Sequence, residues 1–205
     1  ERFLTNKKNI RKNLFFFFFD DGSNDLSSKA ISKNIKKIKH RIIKKKNSGH
    51  GDTCRYGYKY IIKKFKKFEY ILQIDSDNQC DPKYLPKFIN LAKQKNDFIL
   101  GYRNKREDGF LRLLTSKIMS LIFFLKKKNY IKDLNTPYRM MRIEPLKEIV
   151  AKIEKKKKYK QVQLYNCLLS YQMIKYYKIS WIKIIFRERY YGNSKFNFKK
   201  MLSMF

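Results

Sequence analysis

The chain has 205 residues, enough for one α/β domain with a sizeable core, and its 50 Lys and Arg against 17 Asp and Glu give a formal net charge of +33. Its longest apolar runs, 14–19 and 118–125, fall far short of the roughly 20 residues that span a bilayer. Cys54, Cys80 and Cys167 are widely spaced, with no CxxC or CxxH pair, which argues against a disulfide frame or zinc site and for reduced thiols facing a cytosol.

Residues 14–19 are wholly apolar and stop at Asp20-Asp21-Gly22-Ser23. Five consecutive phenylalanines without alternation predict a parallel strand covered on both faces. A helix over 25–37 follows, capped by Asp25, with Ala30, Ile31, Ile35 and Ile38 at helical spacing. A short strand at 41–45 leads to Asn47-Ser48-Gly49-His50-Gly51, which opens a helix over 53–67. The third strand, 70–74, ends at Asp75-Ser76-Asp77; a helix at 83–94 and a strand at 98–100 come next. This βαβαβαβ rhythm predicts a three-layer α/β domain with a mostly parallel central sheet and its working loops at the strands' carboxyl ends. Beyond it the pattern predicts helices at 110–125, 144–152 and 161–176 and strands at 138–142 and 179–187, then a loop at 190–195.

Two acidic clusters, Asp20/Asp21 and Asp75/Asp77, sit at the ends of predicted parallel strands, the edge where open α/β sheets bind ligands. Carboxylates one residue apart on a chain leaving a strand can both reach a small hard cation. Mg²⁺ or Mn²⁺ favours one or two carboxylates completed by substrate phosphate oxygens. Such a cation also removes the repulsion that would otherwise force a proton onto one carboxylate.

With these residues in view, the sequence resembles the family 2 glycosyltransferases of the GT-A fold. The resemblance is carried in order by Asp20-Asp21-Gly22-Ser23-Asn24-Asp25, Asn47-x-Gly49-x-Gly51 with Gly57, Asp75-x-Asp77-x-Gln79, Gly101-Tyr102-Arg103, Asp133-x-Asn135-x-Pro137-x-Arg139 and Arg189-x-x-Gly192-x-Ser194-Lys195. The last element is similar to that of the polyprenyl-phosphate sugar transferases, the dolichyl-phosphate mannosyltransferase type included. The resemblance implies that Asp21 meets the nucleotide while Asp20 braces its turn. Asp75 and Asp77, with Ser76 between and Gln79 beside them, would place the metal on the donor diphosphate. Arg189 and Lys195 would close over diphosphate and acceptor phosphate, with Arg103 and Arg112 adding charge; a planar guanidinium pairs with phosphate oxygens bidentately. Gly49 and Gly51 would let backbone approach the donor, and Gly57 would seat its helix tightly on the sheet. Residues 1–13 contain no P-x-x-N-E loop, so the 205 residues are expected to form a single catalytic domain lacking the family's first strand. A chain opening at Glu1 rather than Met is also expected to be a fragment.

The implied reaction is inverting transfer from a GDP- or UDP-sugar. A sugar hydroxyl acceptor would need a carboxylate base, for which Asp133 is the candidate. A polyprenyl phosphate is already anionic and needs none, which favours a lipid-phosphate acceptor over a glycan in cell-wall or surface polysaccharide synthesis. Peripheral contact at the cytosolic face of a membrane, or an anchoring partner, follows as an expectation. A basic nucleic-acid-binding domain would explain the charge and the aromatic residues but not acidic pairs at two strand ends, so no nucleic acid is expected. The lysines fall in every segment, as an A+T-rich coding bias would scatter them, so charge alone names no partner.

Overall fold

A computed structural model of the protein describes residues 14–24, 27–35, 38–106, 131–156 and 165–187. The predicted cap Asp25, the helix at 110–125 with Arg112, and the loop carrying Arg189 and Lys195 lie outside the described residues.

Two sheets are present among the described residues. In the first, β1 (Phe16–Asp20) pairs in parallel with β2 (His40–Lys44), Phe16 opposite His40 and Asp20 opposite Lys44. α1 (Ser27–Asn34) makes the crossover between them. The second contains β3 (Tyr70–Ile74), β4 (Phe98–Arg106), β5 (Tyr138–Arg142) and β6 (Ile179–Phe186) in the spatial order β3-β5-β4-β6. β5 is antiparallel to both β3 and β4, so those two run the same way, and β6 is parallel to β4. Three of the four strands therefore share one direction, with a reversed strand inserted between the two that the sequence rhythm makes successive. β4 is also longer than the predicted 98–100, because its pairing with β6 continues through a register shift between Arg103 and Lys105.

The helices are α2 (His50–Lys64), α3 (Leu85–Lys93) after a 3₁₀ turn at Pro82–Tyr84, α4 (Ile143–Glu154) and α5 (Tyr165–Tyr176). Alternation along the central strands sends their side chains to two cores. Phe98, Leu100 and Met141 join Tyr58 and Ile61 of α2, Leu146, Ile149 and Ile153 of α4, and Leu169 and Met173 of α5. Ile99, Tyr138 and Met140 pack the other way, with Phe88 of α3 and Ile182 and Ile184 of β6. The rings of Phe88 and Tyr138 stack at 4.3 Å. Helices thus cover both faces, the three-layer arrangement the sequence predicts.

β1 follows the same rule with aromatic side chains. Phe17 and Phe19 pack against the α2 side, where Phe17 meets Phe65 edge-on at 4.7 Å, while Phe16 turns toward Ile38 and Leu85. Gly57 is what brings α2 this close: a Cβ there would lie 3.1 Å from the Phe19 ring.

α2 and α4 are also tied electrostatically. Arg55 donates to both oxygens of Glu154, at 2.7 Å each, and Lys59 adds a third bond at 2.8 Å. The bonds from Arg55, more than offsetting burial, hold the Glu154 carboxyl down to about 2, below its ordinary 4.5. A carboxylate depressed on folding stabilises the native state fully above its unfolded pKa and loses that contribution as pH falls toward the folded one. Wild-type stability should therefore fall between about pH 4.5 and 2 more steeply than that of Glu154→Gln, as read by denaturant titration across that window.

Candidate active site

The carboxyl end of β1 supplies Asp20 and Asp21. Asp20 accepts the Ser23 N–H at 2.8 Å and so shapes the turn after the strand. Asp21 reaches across to the next crossover: Oδ1 accepts from Lys45 Nζ at 2.6 Å and from Ser48 N–H at 3.0 Å, and Oδ2 accepts Gly49 N–H at 2.9 Å. Burial would raise the Asp21 carboxyl, but the hydrogen bonds from Lys45, Thr53, Ser48 and Gly49 prevail and hold it below the usual range.

Gly49 can take this place because its φ is +89°, a region that disfavours side chains. It caps α2, which begins three residues before the predicted start at 53, and Gly51 lies buried in the first turn. The loop from 47 to 51 thereby joins the two acidic clusters. Gly49 is bound by Asp21, and the imidazole Nε2 of the next residue, His50, lies 3.8 Å from Asp75 Oδ1. His50 also contacts Cys54 Sγ at 3.6 Å and Asn166 Nδ2 at 3.3 Å. The hydrogen bond with Cys54, and then the charge of Asp75, outweigh burial and push His50 up to about 9.

At the end of β3, Gln73 Nε2 donates to Asp75 Oδ1 at 2.7 Å. Burial, reinforced by the like charge of Asp77, raises the Asp75 carboxyl, while His50, Arg139 and Arg103 oppose that rise. Ser76 stands between the two aspartates, and Asn78 turns the chain with φ +64°. Asp77 Oδ1 accepts the Gln79 N–H at 3.2 Å. Gln79 itself is buried; its Nε2 donates to the Arg187 carbonyl at 2.9 Å, and Arg187 N–H returns a bond to the Gln79 carbonyl at 3.1 Å. Its side-chain nitrogen thus pins the aspartate loop to the end of β6.

Arg103 and Asp133 meet each other. Arg103 Nε and Nη2 donate to the two Asp133 oxygens at 2.7 and 2.8 Å, and Nη2 also donates to the Asn135 carbonyl at 3.0 Å. Asp133 is 2% exposed, so the candidate base is enclosed and bound bidentately by the arginine expected to meet phosphate. Arg139 is fully buried on β5; it donates to the Asn166 carbonyl and Ser170 Oγ, both at 3.1 Å, and to the Thr136 carbonyl. Sequence reasoning missed Lys45, His50, Tyr58, Gln73 and Asn166 as parts of the site. Gln73 did carry a signal, being the one amide in the otherwise apolar 70–74 run, two positions before Asp75.

Residues 2–161 match the family described as Glycosyl transferase family 2. The chain belongs to that family. It is 28% identical over 142 residues to a protein of Methanocaldococcus jannaschii, an alignment covering 63% of this chain and 61% of the relative. It is 23% identical over 207 residues to undecaprenyl-phosphate 4-deoxy-4-formamido-L-arabinose transferase of Pectobacterium atrosepticum, covering 100% of this chain and 59% of that one. The family 2 chain thus spans about 60% of the length of the curated relatives it matches. Among solved structures, S. aureus TarS 1-349 superposes with a TM-score of 0.53 at 19% identity, covering 84% of this chain and 49% of that one. That likeness shows the GT-A fold.

Removing one partner of a buried ion pair leaves the other charge uncompensated, typically costing about 3–5 kcal/mol. Asp133→Ala should lose stability on that scale in urea denaturation, and adding Arg103→Ala should cost far less again. A residue serving only as a base would leave the unfolding midpoint unmoved.

Proposed function

We propose that this family 2 chain carries the catalytic core of an inverting glycosyltransferase that moves a sugar from a nucleotide-sugar donor to a polyprenyl phosphate. The single observation that carries the choice of acceptor is the Asp133–Arg103 pair. A hydroxyl acceptor must lose a proton to a base, and the candidate base has both oxygens occupied by a guanidinium. A phosphate acceptor arrives as an anion and asks only for cations to hold it. The name of the Pectobacterium relative supports the same acceptor class.

Asp75 and Asp77 suit a divalent cation shared with substrate. No group of three His, Cys, Asp or Glu side chains able to hold a metal exists among the described residues, so donor phosphate oxygens would complete the shell, as Mg²⁺ and Mn²⁺ favour. Bound there, either ion would supply Lewis-acid stabilisation of charge on the leaving diphosphate. In this reading Asp75, Ser76 and Asp77 hold the donor, and Gln79 keeps their loop on β6. Asp20, Asp21, Gly49 and Gly51 shape the nucleotide side, where the GDP or UDP moiety lies. Arg189 and Lys195 bracket Gly192-Asn193-Ser194, and Arg112 joins them in neutralising phosphate charge around the acceptor. No helix among the described residues is long and apolar enough to cross a membrane. With a formal charge of +33, attraction to anionic lipid at a cytosolic membrane face is the proposed route to a lipid acceptor.

Calorimetry with UDP- and GDP-sugars should show affinity that collapses on chelation and in Asp77→Asn; unchanged binding in both would remove the metal from the reaction.

The acceptor is tested separately with undecaprenyl phosphate. Lys195→Ala should lower transfer by one or more orders of magnitude, about the effect of losing one strong electrostatic donor, while sparing slow donor hydrolysis by water. A parallel fall in both rates assigns Lys195 to the diphosphate. No change in either, or transfer to a glycan hydroxyl instead, sinks the lipid-phosphate reading.

A further inference from the structure

Behind Asp75 lies a chain of polar side chains that neither the family motifs nor the proposed reaction uses. Gln73 Nε2 is 2.7 Å from Asp75 Oδ1. Tyr58 Oη is 3.0 Å from Gln73 Oε1 and 3.2 Å from Asn166 Oδ1. Tyr58 is 3% exposed and Asn166 is likewise buried, so their contact forms away from solvent, where an unmade hydrogen bond is costly, while the Gln73 contacts are part-buried.

The direction of the chain follows from counting protons. A carboxylate only accepts, so Gln73 must turn its nitrogen to Asp75 and its oxygen to Tyr58. Tyr58 has one hydroxyl proton, which therefore goes to Gln73 Oε1. Its contact with Asn166 is satisfied only if Asn166 donates, which requires that amide to present its nitrogen to Tyr58. Nitrogen and oxygen of an amide exchange places by a half-turn without other movement. The Asn166 oxygen then faces His50 Nε2 and Cys54 Sγ, both able to donate. Every bond now points one way, from Asn166 to Tyr58 to Gln73 to Asp75.

We propose that Gln73, oriented by Tyr58, is a positioning residue for the donor site: it fixes the rotamer of the Asp75 carboxylate, so that its oxygens are aimed for a divalent cation. This rests on the reading of Asp75 as a ligand of metal and donor. An apolar side chain at 73 would leave Asp75 Oδ1 without this donor and the carboxylate free to rotate. Outer-shell partners of this kind are typically worth a 10- to 100-fold change in metal affinity.

The test is Mn²⁺ binding in the presence of UDP, followed by electron paramagnetic resonance, with thermal melting of each variant as a check on folding. Gln73→Leu should weaken Mn²⁺ roughly 10- to 100-fold, and Tyr58→Phe, which removes one neutral bond, about 2- to 10-fold. The melting temperature of Tyr58→Phe should stay close to wild type, so the proposal remains testable should Gln73→Leu fold poorly. In an Asp75→Asn background Gln73→Leu should cost nothing further, because its effect passes through that carboxylate. Excess Mn²⁺ should restore the turnover of Gln73→Leu, a rescue that a merely structural residue would not show. Wild-type affinity in both variants, or equal losses with and without Asp75, overturns the proposal while leaving the metal reading intact. If wild type itself binds UDP without regard to Mn²⁺, the metal reading fails first and takes this inference with it.

Discussion

Asp21 spends its two carboxylate oxygens on the segment that opens α2, through Ser48 and Gly49 N–H groups, and on Lys45 just beyond β2. Much of the site depends on that constraint. A loop leaving a strand has many conformations, and fixing each residue costs about 1–2 kcal/mol of backbone entropy. Here one half-buried anion fixes successive residues, and the left-handed Gly49 turns the chain into the helix. His50 is thereby aimed at Asp75, and Cys54 and Tyr58 follow on the same helix, one and two turns on.

A protein so rich in cations pairs its enclosed and half-buried anions with them. Asp21, Asp133 and Glu154 each accept short bonds from lysine or arginine. In a medium of low dielectric such pairs require good geometry to offset desolvation, and the bidentate forks of Arg55 and Arg103 supply it. Asp75 is treated differently: its short contact is with the neutral amide of Gln73, and the imidazole is farther off at 3.8 Å.

Much of this was legible in the sequence, for identifiable reasons. The all-phenylalanine run ending in Asp20-Asp21 has no amphipathic alternative, and the β5 boundaries followed from a turn at Pro137 and a helix start after Arg142. The same residues hid the direction of β5, because antiparallel insertion is decided by pairing with Gln73 and Leu100, far away in the chain, and not by local pattern. Arg139 was likewise read only as a member of a motif. Its burial depends on carbonyl and hydroxyl acceptors of Asn166 and Ser170, about 30 residues downstream. Nothing local in the sequence says that the Tyr58 hydroxyl meets Gln73. Asp133 and Arg103 were both expected to carry chemistry, but sequence spacing does not reveal that they bind each other.

The electrostatics of Asp75 tie these threads together. Burial and Asp77 favour a proton on its carboxyl; His50, Arg139 and Arg103 favour its removal. The opposing cations are held by other groups, Arg103 by Asp133 and Arg139 by carbonyl and hydroxyl oxygens. Their field reaches Asp75 while their guanidinium donors are spent elsewhere. In the proposed reading, a carboxylate beside a second carboxylate is a site whose charge is completed from outside. In that reading a divalent cation would satisfy both aspartates at once and bring substrate oxygens with it. A lysine in the same place would have settled the charge permanently and closed the site to a donor diphosphate. In the same reading the neutral amide of Gln73 orients the carboxylate without supplying charge, which is left for the incoming ligand.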